Sequence, residues 1–307
     1  MPLIEILKAI LFGIVEGITE WIPVSSTGHL ILLNEWVKFN LEPEREAAFM
    51  EMYDVVIQLG AILAVVLLSW KVIWPFGIAK KESEKKAAKK GSEDSWKLFG
   101  QVIAKKKTIF MWLKIALACV PGLLYGFLLD DMVEEITKPY KAYIVAVMLI
   151  LVGLLFIIIE KKNEDKRPKI KTIPELTWQI ALIIGISQLV AAALPGTSRS
   201  GATILVGIML GLSRSVATQF TFFLAIPTMF GASLIKFIKY MKDGMTMNGS
   251  EAAILGVSFF TAFIVSVFTV QFLTIYISKN KGFKPFGFYR IVLGAVVLAY
   301  FVIGGMI

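Results

Sequence analysis

Glu16 and Glu20 stand four residues apart in an apolar stretch, a spacing that puts both carboxylates on one face of a helix about one turn apart. Such a pair suits a divalent cation, or general acid and base work. Ser25-Ser26-Thr27-Gly28-His29 then follows Pro23 and precedes the apolar run Leu30 to Leu33. That pattern marks a helix start, where a Ser or Thr caps the helix and the unpaired N–H groups of the first turn form an anion site. Ser25, Thr27 and Gly28 are therefore candidate substrate-binding positions. Ser26 and His29 are three residues apart, and His29 is the only histidine in the chain; on a helix the imidazole would sit close enough to activate the hydroxyl, or to act itself. Far along the chain, Ser198-Arg199-Ser200-Gly201 sets a guanidinium among hydroxyls at a second helix start. The fork of an arginine matches two oxygens of a phosphate, which a lysine does not reproduce. The plainer alternative is that Arg199 neutralises one of the glutamates.

These groups need elements to carry them, and composition says which kind. Of 307 residues, 57% are hydrophobic and 18% charged, against about 45–50% and 25% in soluble domains. A soluble globular enzyme is excluded, and the alternating ten-residue segments of an outer-membrane barrel are missing. The chain reads as an all-α polytopic membrane protein in one membrane domain over 1–307. Spans are predicted near residues 50–70, 109–129, 141–159, 216–238, 252–277 and 287–306, giving six transmembrane helices. Two further apolar regions, 3–34 and 175–212, are broken near the middle by Pro23-Val-Ser-Ser-Thr-Gly28 and Pro195-Gly-Thr-Ser-Arg-Ser-Gly201. Each is too short for two crossings, so both are expected to be re-entrant helical hairpins. Asp54, Gln58, Lys114, Arg214 and Gln219 fall at or near predicted span ends, where snorkelling or capping explains them.

The intervals 71–107, 160–171 and 279–290 carry net charges of +7, +3 and +4, whereas 35–51 and 130–141 carry −3 and −2. Basic loops lie inside, so both termini and the first hairpin face out and the second hairpin enters from the cytoplasm. The net charge of +9 then needs no nucleic acid partner. Its largest block, the lysine-rich interval 71–107, reads as a cytoplasmic loop that can touch anionic lipid as a disordered basic segment. Met1 to Leu11 lacks the pattern of a cleaved signal peptide, and the first helix is expected to stay. The lone Cys119 excludes a disulfide framework.

The two broken regions also align with each other. Pro23 follows Gly13, and Pro195 follows Gly185, by ten residues each. Repeat one covers about 3–160 and repeat two about 173–307. Entry from opposite faces would make the repeat inverted, with the broken helices presenting their N-termini to an anion near the midplane. At the offset of Glu16 the second repeat has Gln188, and nothing matches Glu20, so the acids are asymmetric. A lipid-phosphate transporter or flippase would use the same pocket without a nucleophile, whereas a purely structural scaffold gives no reason for ionisable groups at membrane depth.

Glu16-Gly-Ile-Thr-Glu20-Trp-Ile-Pro-Val-Ser-Ser-Thr-Gly-His29 and Pro195-Gly-Thr-Ser-Arg-Ser-Gly201 closely resemble the two signature motifs of the bacterial undecaprenyl-diphosphate phosphatases of the bacitracin-resistance type, and the likeness extends over essentially the whole chain. The resemblance implies removal of the terminal phosphate of undecaprenyl diphosphate, which returns the carrier lipid to peptidoglycan synthesis. It also implies a plasma-membrane protein with an extracytoplasmic site and a divalent cation, Mg2+ or Ca2+. Position by position, Glu16 and Glu20 match the acidic motif, with metal or acid/base roles. Ser26 and His29 match the proposed nucleophile and base, with the attacking group left open among Ser26, His29 and water. Arg199, flanked by Ser198 and Ser200 and followed by Gly201, matches the phosphate-gripping motif. The partners implied are the lipid diphosphate and membrane lipid, with a homodimer as the candidate assembly.

Overall fold

The computed structural model describes residues 2–78, 95–97, 102–164, 166–244, 246–279 and 281–304. In chain order the helices are α1 (Leu3–Thr19), α2 (Ser26–Trp36), α3 (Pro43–Ile73), α4 (Lys106–Leu128), α5 (Asp130–Thr137), α6 (Lys141–Asn163), α7 (Trp178–Ala193), α8 (Arg199–Met209), α9 (Arg214–Lys242), α10 (Gly249–Ser278) and α11 (Lys284–Gly304). Six are long and apolar enough to cross a bilayer: α3, α4, α6 together with the short α5 before it, α9, α10 and α11. They fall on the six predicted intervals. The two broken regions resolve into the pairs α1/α2 and α7/α8. At 17, 11, 16 and 11 residues, none of these four reaches the ~20 residues a crossing needs.

Two expectations are corrected. Interval 71–107 is not simply a loop: β1 (Phe76–Ile78), β2 (Ser95–Lys97) and β3 (Val102–Lys105) form a small antiparallel sheet in the order β1-β3-β2. The rest of that basic segment, 79–94 and 98–101, lies outside the described residues. Interval 279–290 is not a loop throughout either, because α11 begins at Lys284 and carries Arg290 into the interior at 0% exposure.

The long helices are sorted inside out, as lipid demands. On α10, Phe260, Ile264, Phe268, Phe272 and Ile275 are exposed, whereas Ser258, Ala262, Ser266 and Thr269 are buried. Lipid is as apolar as leucine, so burying leucine gains little there; small residues allow close approach, and their hydroxyls bridge helices. Ser258 donates to the Ala9 carbonyl at 2.9 Å and Ser266 to that of Gly17 at 3.2 Å, fixing α1 on α10. Gly13 and Gly17 are the other half of that contact: a Cβ at Gly13 would stand 2.6 Å from the Ser258 carbonyl oxygen, and one at Gly17 2.8 Å from that of Ala262. α6 and α11 meet in the same way, with Gly153 against the Gly287 carbonyl.

Gly17→Leu therefore has to push α1 off α10. Overpacking typically costs ~1–3 kcal/mol, so its thermal midpoint in detergent falls measurably. Gly256→Ala, where a Cβ meets nothing within 4 Å, leaves the midpoint unchanged or slightly raised. Equal midpoints for both variants would refute the close-packing account of α1.

Candidate functional site

The two breaks meet. Residues 20–25 and 194–198 connect the paired short helices, and Glu20 links them. Glu20 Oε1 accepts from Arg199 Nη2 at 2.9 Å, Oε2 accepts from Ser26 Oγ at 2.9 Å, and the Glu20 carbonyl accepts from Ser200 Oγ at 3.2 Å. Glu20, Ser26 and Ser200 are all buried. Ser198 Oγ caps α8 by accepting from the Gly201 N–H at 3.2 Å, and lies 3.1 Å from Ser200 Oγ.

Both connections end in the same unusual backbone. Ser25 (φ 74°) and Ser198 (φ 68°) are the two non-glycine residues with positive φ among the described residues, and each immediately precedes a short helix. An L-residue there costs on the order of 1–3 kcal/mol, a strain that persists only where the surroundings enforce it. Arg290 supplies part of that enforcement. From α11 its Nη1 donates to the Pro23 carbonyl at 3.2 Å, and its Nη2 to those of Gly196 and Thr197 at 2.8 and 3.0 Å. One guanidinium thus clamps both breaks.

Two connected cavities open at this junction. One, of about 370 Å3, is lined by Glu20, Ser25, Ser26, Ser198 and Arg199, with apolar walls from Leu123 and Met229 among others. The other, of about 420 Å3, is lined by Ser26, Thr27, Asp54, Gln58, Lys138 and Lys141 among others. Ser26, Thr27 and Gln58 border both. Two residues that line the first cavity each hold a buried polar atom with no partner among the described residues: Arg199 Nη1 and Ser25 Oγ. An unpaired guanidinium nitrogen, an unpaired hydroxyl and the first turn of α2, whose cap Ser25 makes no side-chain bond to it, make a ready oxyanion site.

The sequence-selected residues divide into two sets. Glu20, Ser25, Ser26, Thr27, Ser198 and Arg199 line the cavities, and Ser200, Gly28 and Gly201 lie in the adjoining first turns. His29 faces elsewhere. Its Nδ1 donates to the Ser25 carbonyl at 2.8 Å, which leaves Nε2 to accept from the Tyr289 hydroxyl at 2.7 Å, and the two rings stack. Ser26 meets Glu20, not His29. Glu16 is at 0% exposure, and neither of its carboxylate oxygens has a partner among the described residues. Buried carboxylate oxygens without donors fit a hard cation. Among the described residues no three carboxylate, histidine or cysteine groups gather, so a cation here would draw its remaining ligands from water and from an anionic ligand, as Mg2+ usually does.

Four residues with a part in the site escaped the sequence reading. Charge alone places Arg290 in a basic flank, and no sequence pattern singles out Tyr289. Asp54 and Gln58 were assigned to a span end, yet both lie well inside α3 and border the cavities. Their i, i+4 spacing, which puts them on one helix face, was the available signal.

The chain matches the family model of the bacitracin resistance protein BacA over residues 9–296. An undecaprenyl-diphosphatase of Desulfitobacterium hafniense is 51% identical over 98% of this chain and 98% of its own length. Proteins of the same description from Lachnoclostridium phytofermentans and Enterococcus faecalis are 48% and 45% identical, covering 99% and 95% of this chain and 99% and 96% of their own lengths.

Arg290→Met keeps much of the volume but strips the donors from three carbonyls. Each unsatisfied buried group costs ~1–3 kcal/mol, so a loss on the order of 3 kcal/mol or more is expected in detergent unfolding. Arg290→Lys restores only part of it, since an ammonium does not span both breaks. A wild-type midpoint in Arg290→Met would remove the clamp from the account.

Proposed function

The chain belongs to the bacitracin resistance protein BacA family, and from that premise we propose that the Glu20, Ser26 and Arg199 cluster is where it hydrolyses undecaprenyl diphosphate to undecaprenyl phosphate and inorganic phosphate. The protein is a multi-pass membrane phosphatase of the undecaprenyl-diphosphatase type. This hydrolysis recycles the carrier lipid of cell-wall synthesis and underlies bacitracin resistance. The observation that carries the site assignment is the pair of buried, unpartnered donors, Arg199 Nη1 and Ser25 Oγ, in the same cavity as a carboxylate-bound serine hydroxyl. Two donors aimed at no protein group are what a terminal phosphate requires.

The chemistry follows from what each atom already holds. Arg199 keeps Nη2 on Glu20 and offers Nη1 to a phosphate oxygen. Glu20 Oε2 accepts the Ser26 hydroxyl, so Glu20 is the group within reach to take its proton. Attack by Ser26 Oγ on the terminal phosphorus expels undecaprenyl phosphate and leaves a phosphoserine, which water then hydrolyses to inorganic phosphate. With Ser26 serving only to orient it, a water in the same place would reach the products in one step. In both routes catalysis is chiefly positioning and neutralisation of charge. His29, engaged by the Ser25 carbonyl and Tyr289, holds the strained backbone at the start of α2. Glu16, with Glu20, would hold Mg2+ or Ca2+. Such an ion would supply positive charge against the diphosphate.

The α1/α2 and α7/α8 pairs are read as two re-entrant hairpins of an inverted repeat. The short helix lengths support this, as does the recurrence of a positive-φ serine three residues before Gly28 and before Gly201. Basic flanks on one side of the spans and acidic ones on the other support a site open to the extracytoplasmic face.

The test is release of inorganic phosphate from undecaprenyl or farnesyl diphosphate by purified protein, with and without EDTA. Arg199→Lys and Glu20→Gln are each expected to lower turnover by about 10²–10³-fold, and chelation to abolish it. Ser26→Ala is expected to fall as far, and a phosphoserine should be trapped at Ser26 in the wild type. Near-normal turnover in Ser26→Ala would transfer the attack to water, and full activity in EDTA would remove the cation.

A further inference from the structure

The far end of the molecule carries a second pair of joined cavities that the phosphatase reaction does not use. α6 runs from Lys141, at the catalytic cavities, to Asn163 at this end, about 33 Å away at 1.5 Å per residue. The first cavity, of about 690 Å3, is lined by Lys166, Arg167 and Lys169 on one side and by the start of α9 on the other. It shares Ser215 and Ile277 with a second, of about 490 Å3, that runs between α3, α9 and α10.

The positive-inside rule explains why basic residues lie on this face, but not why three of them converge on a built cavity. Backbone bonds fix the segment in place. The N–H groups of Lys169 and Ile170 donate to the Gly211 carbonyl at 2.9 and 3.1 Å, and Ser213 returns a bond to the Ile170 carbonyl at 2.9 Å. Gly211, at φ +92°, allows the turn that makes this pairing. Nearby cations are already neutralised, Arg214 by Glu160 and Lys284 by Glu164. Lys166, Arg167 and Lys169 have no ion pair among the described residues, and the described lining of this cavity is basic without an acid.

The adjoining cavity is polar without being charged, bordered by Ser215, Thr218 and Gln219. Thr218 is 4% exposed, and its hydroxyl is buried without a partner among the described residues. An orphaned hydroxyl in a transmembrane cavity calls for a hydrogen-bonding occupant. Apolar surface flanks both cavities: Met209 is exposed beside the first and Leu68 beside the second.

We propose that these joined cavities bind an acidic bilayer phospholipid with a hydroxylated headgroup, of the phosphatidylglycerol class. Its phosphodiester meets Lys166, Arg167 and Lys169, its glycerol hydroxyls meet Ser215, Thr218 and Gln219, and its acyl chains follow the exposed apolar flanks. A zwitterionic headgroup supplies no net charge to the basic side, and a free phosphate supplies nothing to the polar seam or the flanks.

Native mass spectrometry and thermal unfolding of the full chain, delipidated in detergent, test this. Phosphatidylglycerol should be retained and raise the midpoint, whereas phosphatidylcholine and inorganic phosphate should do neither. Replacing all three cations (Lys166→Gln, Arg167→Gln, Lys169→Gln) should weaken retention by about a hundredfold, at roughly one kcal/mol for each cation near an anionic headgroup. Thr218→Val should weaken it less than the triple replacement. Arg199→Ala should retain the lipid as the wild type does, which separates this site from the catalytic one. Equal retention of phosphatidylcholine, stabilisation by inorganic phosphate alone, undiminished retention in the triple variant, or loss of the lipid in Arg199→Ala would each overturn the proposal.

Discussion

A backbone that breaks inside a bilayer must find partners for every carbonyl it frees, because no water is there to supply them. This chain breaks its helices twice within apolar stretches, at residues 20–25 and 194–198, and pairs the freed carbonyls with side chains from elsewhere in the sequence. Arg290 covers the Pro23, Gly196 and Thr197 carbonyls, and Ser200 covers that of Glu20. Because a single guanidinium reaches both breaks, neither can relax alone. The strained conformations of Ser25 and Ser198 persist on that account, and with them the direction in which the α2 and α8 N-termini point.

The site is the remainder left once those demands are met. Glu20 satisfies one arm of Arg199 and the hydroxyl of Ser26, so three groups from two distant segments are held at hydrogen-bond distance without a ligand. What stays unsatisfied is confined to a few atoms: Arg199 Nη1 and Ser25 Oγ as donors, and the Glu16 carboxylate as acceptor. Native interiors rarely leave such atoms unpaired. Here the orphaned donors belong to residues that line a cavity and the orphaned acceptor is a carboxylate, the arrangement that an anion accompanied by a cation would complete.

Much of this was legible in the sequence, for identifiable reasons. A long apolar run with at most one or two charges has few alternatives to a membrane span, so the six long helices follow from hydropathy. Proline with serine and glycine inside such a run has few alternatives to a break, so α1/α2 and α7/α8 follow as well. Glu20, Ser26 and Arg199 stood out because polar groups at that depth are costly. Orientation was a different matter. Whether His29 turns toward Ser26 or toward Tyr289 depends on where α11 packs, and α11 is some 260 residues away. Arg290 looked like the end of a basic flank because charge alone does not tell a snorkelling arginine from one drawn inward by bare carbonyls. The small sheet is not legible because its strands are three or four residues long, too short for an alternation to show.

The two cavities at the junction of the breaks differ in their linings in a way that suits an amphipathic substrate. The one lined by Arg199 has walls from Leu123 and Met229, whereas its neighbour is bordered by Asp54, Lys138 and Lys141. A lipid diphosphate needs apolar surface beside the bond to be broken and wet, polar surface beyond it, since burying its charge in hydrocarbon would cost far more than the reaction releases. Ser26 borders both cavities, so the hydroxyl bound to Glu20 stands at the boundary between the two environments. A phosphate centred there would leave its prenyl chain among leucine and methionine and send its released oxygens toward lysine and water. The break between α1 and α2 is what puts Ser26 at that boundary, in the first turn of α2 and not further along α1.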